Sequence, residues 1–129
     1  MITILSPAKR LNEKQKVSAN DYTVPQFLED AEVLVEELRK LNPDQLQGLM
    51  NVNRNIAEMN YERYLRWSRP FTPVNASQAL FSFKGQAYQG LKAEDFTDQD
   101  ISFAQDHLRI LSGLYGLLRP LDLMQPYRL

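Results

Sequence analysis

The chain has no cysteine, one histidine and no excess of either charge, and each of these scarcities removes a class of function. Without cysteine there is neither a disulfide framework nor a thiol redox centre, and cysteine-ligated metal is excluded, which suits a cytosolic protein. Basic and acidic residues nearly cancel, 15 against 16, so the whole-chain field attracts no polyanion and any nucleic-acid surface must be local. No apolar run approaches the roughly 20 residues of a membrane span. Met1 to Leu5 is apolar, but Ser6-Pro7 ends it far short of a secretory signal, so a cytoplasmic protein with no membrane partner is expected. Glycine-built motifs are also missing: there is no Gly-x-Ser-x-Gly elbow, no phosphate-binding Walker loop and no Gly-x-Gly-x-x-Gly turn.

What is present suits one domain, or the first half of a larger one. The 129 residues are 43% hydrophobic and 10% aromatic, enough for a real core. Residues 2–6 read as a short buried strand closed by Ser-Pro, and 11–24 as polar surface loop. From Pro25 to Leu41, Phe27, Leu28, Ala31, Leu34, Val35, Leu38 and Leu41 keep the three-and-four spacing of one buried helical stripe. Asn42-Pro43 is a helix cap followed by proline at the first helical position, and predicts a short helix to about Met50. A turn over Asn51 to Asn53 leads to a third helix, Arg54 to Ser68, which Pro70 stops. A second strand is expected over 79–83. Thr97 with Asp100 forms a capping box opening a helix to about His107, and a third strand follows over 109–112.

The expected fold is therefore α/β or α+β: a small mixed sheet with helices, interrupted by a helical insertion at about 25–69. Phe81 to Tyr88 and Arg109 to Tyr115 share a pattern of hydrophobic run, polar residue, glycine and tyrosine. With Ser6-Pro7-Ala8-Lys9 they make three strand ends, and in open α/β sheets ligands sit outside the carboxyl ends of strands. The same units also arise from packing alone.

Three blocks carry a family resemblance: Leu5-Ser6-Pro7-Ala8-Lys9, then Phe71-Thr72-Pro73-Val74-Asn75 with Ala79-Leu80, and the long segment from Leu108 to Leu129. Together they resemble the YaaA peroxide-stress-resistance family over the whole chain. Similar proteins continue for about the same length after Pro126-Tyr127-Arg128-Leu129, so the resemblance implies a truncated, amino-terminal half. It further implies a cytosolic protein that protects cells from hydrogen peroxide by limiting free iron and oxidative damage to DNA. It also implies a mixed α/β fold carrying a helix-hairpin-helix element and a basic cleft for double-stranded or structured DNA.

The parts of such a hairpin can be sought in the residues. A tight turn between two helices aims backbone N–H groups at phosphates while nearby basic side chains add charge, and reads no bases. Asn51 and Asn53 flank Val52 where glycines usually sit, and asparagine is the best non-glycine occupant of left-handed backbone. Arg54 would face the phosphate, with Arg63, Arg66 and Arg69 following at three-residue spacing and Glu58 and Glu62 partly offsetting them. The bland alternative is an ordinary helical hairpin with a solvated arginine stripe.

A second candidate is the strand-end cleft: Ser6, Lys9, Lys84, Arg119, Tyr127 and Arg128. Lys9, Lys84 and Arg119 would grip phosphate, and Tyr88, Tyr115 or Tyr127 would stack on a base, as a nucleotide- or nucleobase-handling enzyme requires. Against this, Lys9 can simply be solvated and Arg119 can pair with Asp122. Nucleophilic catalysis by Ser6 or Ser112 would need a base, and His107 is the sole imidazole. Ala104 stands where a Glu-x-x-His iron ligand would be, so no metal site and no cofactor is expected. The residues alone leave the hairpin's two readings balanced, and it is the resemblance that favours DNA binding over an enzyme.

Overall fold

In the computed structural model, which describes residues 1–11 and 21–129, helices and short strands alternate in a mixed α/β arrangement with six α-helices. Most of the loop expected over 11–24 lies outside the described residues. The principal sheet has three strands, β1 (Thr3–Leu5), β5 (Leu108–Ser112) and β6 (Gly116–Leu118), in the order β1-β5-β6. β1 runs parallel to β5 with Leu5 beside Ile110, and β5 turns back antiparallel into β6 with Ile110 beside Leu118. The turn into β6 needs glycine: Gly116 has φ of 76°, and a β-carbon there would stand 3.2 Å from the Phe27 ring. Two further antiparallel pairs join β2 (Arg10–Leu11) to β4 (Phe83–Lys84), and β3 (Ser77–Gln78) to β7 (Leu123–Met124).

Between β2 and β3 lie three helices, α1 (Leu28–Arg39), α2 (Pro43–Met50) and α3 (Arg54–Arg66). Helix α1 buries Leu28, Ala31, Val35 and Leu38, the centre of the expected stripe, while Phe27 and Leu34 at its margin stay partly exposed. The cap at Asn42 is a complete capping box: its side chain accepts the Gln45 N–H at 2.8 Å, and the Gln45 side chain accepts the Asn42 N–H at 2.9 Å. Arg39 ties α1 to the end of α3, donating to the main-chain carbonyls of Tyr64 and Trp67. Helix α6 (Asp98–His107) opens on the same reciprocal box, between Thr97 and Asp100, and runs directly into β5.

The strand expected over 79–83 is corrected. Residues Ala79–Ser82 form a single helical turn, α4, with β3 before it and β4 after it. Ala79 and Leu80 donate their N–H groups to the carbonyls of Asp122 and Pro120, and Ser82 donates its hydroxyl to the Gln78 carbonyl. Ser77 to Leu80, Ser82 and Phe83 are buried, so the segment shows no periodicity that would separate a helical turn from a strand. A further short helix, α5 (Gln86–Leu91), follows β4.

The core gathers under the main sheet, where Ile110, Leu118 and Leu123 meet Val35, Leu46 and Ala57 of the helical layer. Trp67, Phe71, Tyr115 and Tyr127 continue it as a chain of edge-to-face rings, centroids 5.2 to 6.1 Å apart.

Candidate functional site

Helices α2 and α3 pack closely on each other across a three-residue turn. Asn51 closes α2 in left-handed conformation, φ 54° and ψ 55°, and the Val52 N–H reaches back to the Gln47 carbonyl at 3.3 Å. Val52 turns inward and packs on the core. Asn53 has a different job: it is extended, φ −75° and ψ 170°, and its side-chain oxygen accepts the Ile56 N–H at 2.9 Å as the cap of α3. Only one asparagine of the two therefore carries the positive φ that a paired-glycine turn would have.

The arginines of α3 divide. Arg54 is exposed at the turn but bound internally, to Asp44 of α2 and to Glu58 one turn along at 2.9 Å. The Glu58 hydrogen bond and the Asp44 charge hold its proton more firmly than usual. Arg63 is buried and donates to Asn60 at 3.2 Å, which takes it off the exposed stripe. Arg66 remains on the surface, and Arg69 beyond the helix pairs with Glu32 at 3.5 Å.

The ends of the parallel strands form the second cluster. Because Leu5 lies beside Ile110, Ser6 emerges next to the end of β5 at Ser112. The Tyr88 hydroxyl donates to the Ser6 carbonyl at 2.7 Å, and the Ser112 and Tyr127 hydroxyls share a hydrogen bond of 2.6 Å. Tyr64 donates to the Arg128 carbonyl. Burial pushes the Tyr64 and Tyr88 phenols up to about 12 and raises Tyr115 and Tyr127 as well, so all four are neutral at physiological pH. Tyr115 is wholly enclosed, accepting the Trp67 indole N–H at 2.9 Å and donating to the Gln125 carbonyl at 2.9 Å. It is a core residue, not an aromatic platform for a base.

The basic members behave unequally. Arg119 is committed to the fold: it holds the buried Asp122 carboxylate at 2.9 Å and donates to the Val24 carbonyl at 2.8 Å. Lys9 and Lys84 are exposed. Lys84 stands directly opposite Arg10 in the β2–β4 register, beside a cavity of about 410 Å³ lined by Gly85, Tyr88, Gln89 and Glu94 among others. Among the described residues no ion pair engages Lys9, Arg10 or Lys84. Arg10 was not singled out from the sequence, because its partner lies 74 positions away, a pairing that neither periodicity nor motif encodes. Among the described residues no three histidine, aspartate or glutamate side chains gather where a metal could bind, and no helix is long and apolar enough to cross a membrane.

Comparison with known proteins agrees with the resemblance carried by the three sequence blocks. Residues 1–129 match the family model described as "Peroxide stress protein YaaA". A UPF0246 protein of Burkholderia thailandensis is 50% identical over all 129 residues, and UPF0246 proteins of Burkholderia mallei and Burkholderia pseudomallei show the same 50%. In each case the whole of this chain aligns with 50% of the relative, so the chain spans about half the length of the curated relatives it matches. With the match extending from the first residue to the last, the chain belongs to the peroxide stress protein YaaA family.

Proposed function

We propose that the family protein represented by this chain protects bacteria against peroxide by binding DNA without sequence preference, limiting free iron and the oxidative damage it causes. Membership of a peroxide-stress family supports the cellular role. For DNA binding the supporting observation is the α2–α3 hairpin, where a left-handed Asn51 and the Asn53 cap turn the chain in three residues. The exposed start of α3 then presents main-chain N–H groups at the positive end of its dipole, the geometry that receives a phosphate. Arg66 and, across the molecule's strand ends, Lys9, Arg10 and Lys84 add charge without reading bases. Arg54 contributes less than its position suggests, since Asp44 and Glu58 already neutralise it. Affinity of the full-length protein for unrelated duplexes at two ionic strengths tests this reading.

One observation favours a second reading. Like charges directly opposite in an antiparallel pair are unfavourable, and Arg10 opposite Lys84, beside a cavity whose lining is mixed apolar and polar and includes Glu94, is an arrangement that a bound anion would relieve. In that reading the strand-end cleft takes a nucleotide, with phosphate on Arg10 and Lys84. A shift in melting temperature of the full-length protein with millimolar nucleotide checks it.

A further inference from the structure

The three-stranded sheet has two faces of opposite character. Alternation and register set Leu5, Leu108, Ile110 and Leu118 on one side, where the last three are buried. Ile2 and Ile4 of the β1 segment, with Leu111 and Leu117, stand on the other, and they are 51%, 55%, 44% and 37% exposed. Arg109, beside Ile4 on that side, has its guanidinium bound at the end of α6, donating to the Gln105 and Leu108 carbonyls at 2.7 and 2.8 Å. A sheet face in contact with water normally carries polar residues at these alternate positions. Here, Arg109 apart, they are aliphatic from one strand to the next, and among the described residues β1 has a single strand partner.

We propose that this face is covered within the full-length protein by the part of the family sequence that lies outside this chain. Half the length of the matched relatives is available to do so. The exit point suits it too: a β-carbon on Gly113, the residue after β5, would stand 3.0 Å from the Leu129 carbonyl oxygen. A chain continuing past Leu129 therefore starts beside the carboxyl end of the central strand. Its apolar residues close the Ile2, Ile4, Leu111 and Leu117 face, turning a one-sided sheet into the middle layer of the whole protein.

The experiment uses full-length protein with cysteine introduced singly as Leu111→Cys, Ile4→Cys or, as an exposed reference, Val74→Cys, which replaces a loop side chain 96% exposed. Labelling by a water-soluble maleimide is followed after correction for the parent. The expected result is labelling of Leu111→Cys and Ile4→Cys about 100-fold slower than Val74→Cys, because it must await local opening, at a rate independent of protein concentration. Labelling of folded variants as fast as the reference overturns the proposal. So does slow labelling that accelerates on dilution, which assigns the face to a second copy of the protein. If these variants fail to fold, Leu117→Cys on the β6 side of the same face replaces them: slow, dilution-independent labelling supports the covering, and labelling as fast as Val74→Cys refutes it.

Discussion

Arg10 and Lys84 are cross-strand partners in the two-residue ribbon of β2 and β4, so two positive charges share one side of it. Like charges directly opposite are unfavourable in themselves, and a phosphate placed between them would offset that. Lys84→Gln should therefore leave the melting temperature unchanged or slightly raised while weakening binding of phosphate-bearing ligands. For duplex DNA the salt slope should fall by about one unit. A variant that binds as the parent does, with the same slope, removes the pair from the interface.

The hairpin makes a sharper distinction between its two asparagines. Asn51 occupies left-handed backbone, so Asn51→Gly should be tolerated and Asn51→Val should cost more than about 1 kcal/mol, because a β-branched residue disfavours positive φ. Asn53 is a cap with ordinary φ, so Asn53→Asp or Asn53→Ser should be tolerated and Asn53→Ala should cost about 1 kcal/mol. Denaturant unfolding of the five variants measures this. A cost for Asn51→Gly as large as that for Asn51→Val would show that the turn does not hold the conformation described.

Much of the local structure was legible because its causes are local. Asn42 and Thr97 cap their helices through side-chain bonds spanning three residues, and the buried positions of α1 follow the helical repeat. Proline at 43 and 70 marks a beginning and an end. Segment 79–83 was misread because burial on every side leaves no amphipathic pattern, and its N–H groups are satisfied by the distant Asp122 and Pro120 carbonyls. The site was less legible than the fold for the same reason. Three-residue spacing put Arg63 with Arg66 on one solvated stripe, but packing around Asn60 draws Arg63 inside. Asp122 likewise withdraws Arg119, which sequence alone left open between cleft and ion pair. The Arg10–Lys84 pairing depends on β2 meeting β4, and no short-range signal encodes that meeting.

Buried phenols make the fold sensitive to alkali. An ordinary tyrosine has a pKa near 10, while burial holds Tyr64 and Tyr88 at about 12. The unfolded chain then releases these protons first, so their contribution to stability is complete below about pH 10 and is lost as pH rises towards 12. Unfolding followed by tyrosinate absorbance should show stability falling across that window. Stability that is flat through it would mean that these hydroxyls are open to water.

The Tyr115 hydroxyl is the polar hinge of the aromatic core, accepting from the Trp67 indole and from the Gln125 N–H at 3.0 Å while donating to the Gln125 carbonyl. Tyr115→Phe keeps the ring but strands buried donors, and should destabilise by about 1–3 kcal/mol with a change in Trp67 fluorescence. DNA binding by the folded variant should be unaltered, since the group never reaches the surface.

DNA binding itself is tested most directly by titrating full-length protein with two duplexes of unrelated sequence at low and at near-physiological salt. Binding through phosphates alone predicts the same affinity for both duplexes and a steep linear fall in log affinity with log salt, one unit of slope for roughly each phosphate neutralised. No detectable binding at low salt, a strong preference for one sequence, or an affinity indifferent to salt would contradict it.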